Sequence, residues 1–161
     1  MAKNIIMGVD PASFKNMGLC VGRIQKNGKL KILERFTKVF DVDKNTKDSR
    51  FIDLKETVRD IIQRKKVDIL IFERTQFGKP FIMSQIYETI GVIKLICQEE
   101  GVRIVEISPS TIKLAITGYG RSSKPEVMKA VMKEFNLSKK DLSSDHEADA
   151  IGVCQAYIQK R

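Results

Sequence analysis

Three cysteines are all the chain has, and its 20 acidic residues are outnumbered by 29 Lys and Arg. Cys20, Cys97 and Cys154 are odd in number, far apart and set among apolar neighbours. That pattern argues against a disulfide framework or a Cys-based zinc site and suits buried, reduced thiols in a cytoplasm. No apolar segment approaches the roughly 20 residues a membrane span needs, and Asp10 interrupts the early hydrophobic run, so neither an anchor nor a leader is expected. The deficit of acids leaves a formal charge of +9, which favours a polyanionic partner such as nucleic acid. At 161 residues and 42% hydrophobic content, the chain can bury one sizeable core and not two, so a single domain over 1–161 is expected.

What is present starts with the stretch 4–22, NIIMGVDPASFKNMGLCVG. Its apolar run ends in Asp10, and the Pro11 that follows cannot donate to a sheet ladder, so a buried strand should stop with a carboxylate at its end. Such a charge is costly unless paired or bound to a cation, although Asp-Pro is also an ordinary turn former. Met17 to Val21 reads as a second strand. Asn27-Gly28 then signals a hairpin into a third, Leu30 to Thr37, so the chain opens as a meander. Phe40 to Arg50 reads as an exposed connection.

From Phe51 the apolar spacing becomes helical, through Leu54, Val58, Ile61 and Ile62, closed by the basic Arg64-Lys65-Lys66. Val67 to Phe72 is a short continuous apolar run, a buried parallel-type strand, and it too ends in an acid, Glu73. Two such strands side by side place two carboxylates on one sheet edge. After the loop Arg74 to Pro80 comes a helix from about Phe81 to Glu99, apolar nearly all round. It is either wrapped by its own domain or packed against a second copy. Val102 to Ile107 is a fifth strand. A short helix to about Ile116, a glycine-hinged loop 117–123, and a helix from Pro125 follow, with Lys124 at its entrance.

The last helix begins with Ser144 and Glu147, which fit the S-x-x-E capping box, so Glu147 has a structural role and Asp145 suits a first turn on dipole grounds. No cap explains Asp149, and His146, three residues before it, shares its helix face. If this helix packs over the sheet edge, Asp10, Glu73 and Asp149 converge with His146 beside them. Clustered carboxylates repel in a low dielectric, and divalent cations relieve them. Oxygen ligands suit Mg²⁺ or Mn²⁺, and two such ions about 4 Å apart form the clamp used for phosphodiester cleavage.

The element order, three meandering strands, helix, strand, helix, strand, then helices, is that of an α/β ribonuclease H-like fold: a five-stranded mixed sheet with helices on both faces. The segments GVDPAS, IFE, STIKLAITGYGRSSKPEV and DHEADAIGV, in this order, resemble those of RuvC-type Holliday junction resolvases over nearly the whole length, as in compact members encoded by bacteriophages. The resemblance implies that Asp10, Glu73 and Asp149 are metal ligands and that His146 fills the fourth catalytic and metal-binding position. It implies that Lys113 and Lys124 contact the region of the scissile phosphate. It also implies a homodimer through the helix 82–99, with two sites cutting opposing strands of a four-way DNA junction and acting on other branches such as forks and flaps. The expected cofactor is Mg²⁺, two ions per site, with Mn²⁺ able to substitute.

The chain departs from the family where Ala12 replaces a usual glycine and where the first turn is one residue longer before Gly18. In the loop after Glu73, Gln76 stands where sequence-reading members carry an aromatic, with Phe77 one later, which predicts relaxed sequence preference. Gln76, Phe77 and Arg121 are the remaining candidate DNA contacts, Phe77 by stacking on an opened base. Three other readings share features with this one. An inactive DNA-binding module would not need every acid position filled, and an actin-like or sugar-kinase phosphate site would need a duplicated domain and a glycine-rich turn. A related-fold RNA nuclease is separated by substrate.

Overall fold

The structure, a computed structural model, describes residues 4–11, 15–41, 49–75 and 78–161. Ala12, most of the connection after Phe40, and the candidate DNA contacts Gln76 and Phe77 lie outside the described residues. Five strands form one sheet in the order β3-β2-β1-β4-β5: β1 Ile5–Asp10, β2 Asn16–Ile24, β3 Leu30–Val39, β4 Ile69–Glu73 and β5 Arg103–Ile107. The first three pair antiparallel, and β4 and β5 join them in parallel. The expected hairpin is present, with Gly28 at φ 78° and Asn27 Oδ1 accepting from Lys29 N at 3.0 Å.

Alternation along the central strands divides the core. Met7, Val9, Leu19, Leu70 and Phe72 face α1 (Arg50–Lys65) and α2 (Pro80–Glu99), while Ile6, Cys20, Ile69 and Ile71 face the opposite layer. That layer contains α3 (Pro109–Thr117), α4 (Lys124–Glu134) and α5 (Asp145–Lys160). Because side chains alternate, Asp10 follows Ile6 and Gly8 onto the α5 face, and Glu73 follows Ile69 and Ile71 onto the same one.

Several expectations need correction. Phe40 and Arg50, read as the ends of an exposed connection, are both buried. Arg50 donates to Thr89 Oγ1 at 2.7 Å and stacks on Phe51 with 4.4 Å to the ring centroid, so this cation ties α1 to α2. The strands β2 and β3 run beyond the expected 17–21 and 30–37, while β4 starts at Ile69 rather than Val67. The link 136–143 includes a 3-10 turn at Lys139–Asp141.

Contrary to the expectation that no segment approaches a membrane span, α2 is 20 residues long and apolar enough to cross one by length and composition. Its inner face, including Ile86, Ile90, Ile93 and Ile96, belongs to the core. Its outer face leaves Phe81, Ile82, Tyr87 and Leu95 exposed.

The capping box read at Ser144 and Glu147 does not form. Ser144 Oγ is 2.6 Å from Thr37 Oγ1, and Glu147 is buried against Arg35 and Ser143 instead. Arg35 engages one Glu147 oxygen, and the other accepts from Ser143 N and Oγ, one residue before the expected cap. The reciprocal Glu bond appears one helix earlier, where Ser123 N donates to Glu126 at 2.7 Å at the start of α4.

Candidate active site

β1 ends at Asp10 because Pro11 follows it, and β4 ends at Glu73. Val9 and Phe72 are register partners in the parallel pair, so the two acids are the next residues along adjacent strands. Over this edge lies the first turn of α5. The sheet lets it approach because Gly18 and Gly8 lack side chains: a Cβ on Gly18 would overlap the His146 carbonyl, and one on Gly8 would overlap that of Ala150. Glycine in a strand often marks such a close backbone approach.

With α5 so seated, His146 Nδ1 lies 3.0 Å from Asp10 Oδ2. Ligand atoms of Asp10, His146 and Asp149 fall within 4.8 Å of one another. Glu73 is outside that group but lines the same pocket of about 460 Å³ with Asp10, His146, Asp149, Lys113 and Lys124. α3 supplies Lys113 and α4 supplies Lys124, whose Nζ is 3.0 Å from Asp149 Oδ2. Arg121 is exposed in the α3–α4 connection and is not among the pocket-lining residues. Asp145 stays exposed at the start of α5, outside the three-residue group.

The electrostatics are those of crowded acids. Burial, then the charges of Asp10 and Asp149, push the Glu73 carboxyl up to about 7 against the pull of Lys113 and Lys124. Burial and Asp10 also raise Asp149, opposed by Lys124 and His146. The hydrogen bond to Asp10 raises His146 despite partial burial. Burial works against the Lys124 ammonium, but its bond to Asp149 and the surrounding acidic charges prevail and raise its pKa. Three acids and one imidazole facing a half-open pocket, with two ammonium groups at its side, can hold divalent cations and a phosphate together.

Residues 6–157 match the family model described as "Crossover junction endodeoxyribonuclease RuvC". The chain belongs to the RuvC family. Among RuvC relatives, the crossover junction endodeoxyribonuclease RuvC of Petrotoga mobilis is 29% identical over 150 residues, covering 92% of this chain and 90% of its own. That of Prochlorococcus marinus strain MIT 9211 is 32% identical over 113 residues, 70% of this chain and 71% of its own. The RuvC fold itself is matched by T. thermophilus RuvC in complex with a Holliday junction substrate, with a TM-score of 0.84 at 19% identity over 98% of this chain and 94% of that one.

Sequence reasoning missed the two glycines beneath α5 and the contacts of Arg35 and Thr37 with its approach. The glycines in MGVD and MGLC were visible, but a strand glycine names no partner until the helix above it is placed.

Proposed function

We propose that the protein is a structure-selective endonuclease that resolves four-way DNA junctions and cuts other branched DNA by divalent-metal-dependent phosphodiester hydrolysis. The observation that carries this reading is the convergence of Asp10, Glu73, His146 and Asp149, from three remote segments, on one pocket flanked by Lys113 and Lys124. The donor chemistry fits a hard divalent cation: carboxylate oxygens with one imidazole, and a carboxyl, Glu73, pushed up to about 7 by burial and then by the neighbouring charges of Asp10 and Asp149.

Asp10, Asp149, Glu73 and His146 are the proposed metal ligands, for two Mg²⁺ ions with Mn²⁺ as a substitute. Bound there, such cations would lower the pKa of an attacking water and steady the leaving oxygen of the phosphodiester. Asp10 orients the His146 ring through Nδ1, which leaves Nε2 to face the pocket chemistry. Lys113 and Lys124 neutralise phosphate charge at the rim, and Arg121 adds a cation beyond it. Gln76 and Phe77 remain the proposed contacts near the crossover, with relaxed base selectivity following from Gln76. The exposed apolar face of α2 is the proposed homodimer surface, which gives paired nicks the two-fold arrangement they need. The chain 1–161 acts as one nuclease domain per protomer, in a cytoplasm reducing enough to keep three buried thiols free.

The test is a labelled four-way junction incubated with Mg²⁺, Mn²⁺ or chelator. Asp10→Asn, Glu73→Gln and Asp149→Asn should bind the junction and fail to cut it. Mg²⁺-dependent nicking at parental rates by all three would overturn the assignment, and cleavage of structured RNA in preference to the junction would redirect it to an RNA nuclease.

A further inference from the structure

Asp10, Gly18 and Thr37 are successive register partners across β1, β2 and β3, and Gly8, Cys20 and Arg35 form the parallel row two residues along. The start of α5 straddles both rows. On the inner side His146 bonds Asp10, while its backbone rests on Gly18. On the outer side Thr37 Oγ1 lies 2.6 Å from Ser144 Oγ and accepts from Ser143 Oγ at 3.0 Å. One row on, the Arg35 guanidinium pairs with Glu147 and donates to the Asp141 carbonyl at 2.7 Å. Glu147, with 2% of its side chain exposed, also accepts from Ser143 N at 2.9 Å.

We infer that Arg35 and Thr37 of the edge strand, gripping Ser143, Ser144 and Glu147, are positioning residues that set the register of α5 over Asp10 and so fix where His146 and Asp149 stand. The physical argument is one of two-point support. Gly18 and Gly8 let the helix come down onto the sheet, but glycine supplies no side chain to hold it against sliding or rolling. Directional bonds do that, and here they lie on the side of the helix away from the pocket, where they cannot interfere with a cation or a DNA strand. The buried carboxylate makes the arrangement demanding, since Glu147 without Arg35 would be an uncompensated charge. A shift of about 1 Å at reacting groups costs on the order of a hundredfold in rate, so a small slip of α5 is costly to cleavage while leaving the fold intact.

The test compares the full chain with Thr37→Val, which keeps the side-chain shape and loses the hydroxyl, and with Thr37→Ser, which restores it. Two readouts are taken: hydrogen exchange of the α5 first-turn amides in metal-free protein, and single-turnover cleavage of a four-way junction at saturating Mg²⁺. Thr37→Val should exchange about tenfold faster in that turn alone and cleave about tenfold more slowly, the effect of losing the hydroxyl's bonds to Ser143 and Ser144 at a positioned group, with junction affinity unchanged. Thr37→Ser should return both to parental values. Parental cleavage by Thr37→Val would overturn the inference, as would faster exchange spread evenly over the whole protein. The cleavage arm rests on the proposed nuclease reading and the exchange arm does not. A parental protein that never cleaves defeats that reading alone, and unchanged exchange defeats this one.

Discussion

Lys124 Nζ stands 3.0 Å from Asp149 Oδ2 on the wall of the pocket that holds Asp10 and Glu73. One ammonium group thus engages a carboxylate proposed to bind a cation, and the two positive charges compete for it. Replacing Lys124 with Met removes the competitor and one proposed phosphate contact at once. The expected outcome is split: Mn²⁺ binding measured by calorimetry tightens, by about tenfold given the strength of a unit charge at this range. Junction cleavage at saturating metal falls, and the slope of junction affinity against salt decreases by about one counterion. Weaker Mn²⁺ binding by the variant would show that Lys124 organises Asp149 and does not compete with metal for it.

Glu73 gives the metal-free protein a characteristic pH dependence. Its carboxyl has an ordinary value of 4.5 and is pushed up to about 7 in the folded chain by burial and by Asp10 and Asp149. Between those values the folded state holds the proton that the unfolded state has released, so stability falls as pH rises through this window. The contribution is fully present below about 4.5 and gone above about 7. In chelator, the melting temperature should therefore decline from pH 5 to pH 8 more steeply in the parent than in Glu73→Gln, and added Mg²⁺ should reverse the decline. Parallel curves for the two proteins would contradict the assigned cause.

The outer face of α2 makes a separate prediction about assembly. Tyr87, Gly91 and Leu95 recur every four residues along one stripe, the two large side chains are more than half exposed, and a Cβ on Gly91 would meet nothing. A second copy seated there would be driven off by a charge. Leu95→Glu should sediment as a monomer where the parent is a dimer, and its two nicks on a junction should lose their simultaneity while single nicking persists. A monomeric parent would place the dimer surface elsewhere.

The sheet and its two terminal acids were legible because the signals are local. Pro11 ends β1 at Asp10, β4 ends in Glu73, and Asn27-Gly28 specifies the hairpin. That both acids share a face follows from alternation alone, once α5 is known to cover it. The grip on α5 was not legible, because it joins residues more than 100 positions apart: Thr37 with Ser144, and Arg35 with Glu147. The S-x-x-E pattern at Ser144 was misread for the same reason. Spacing reports what a carboxylate can reach within its own helix, not that a guanidinium on a distant strand will claim one oxygen and Ser143 the other. The burial of Arg50 was hidden likewise, since its partner Thr89 lies on another helix.

Cys154 lies on the underside of α5, its Sγ 3.6 Å from the Cys20 carbonyl of β2, and Cys97 is enclosed in the opposite layer. The molecule therefore carries its own reporter of helix lifting. A thiol reagent reaches Cys154 and the facing Cys20 whenever α5 rises from the strands, while Cys97 answers to opening of the other layer and serves as an internal reference. The ratio of labelling under α5 to labelling of Cys97 measures how often the segment bearing His146 and Asp149 leaves the sheet, with no cysteine added to the chain.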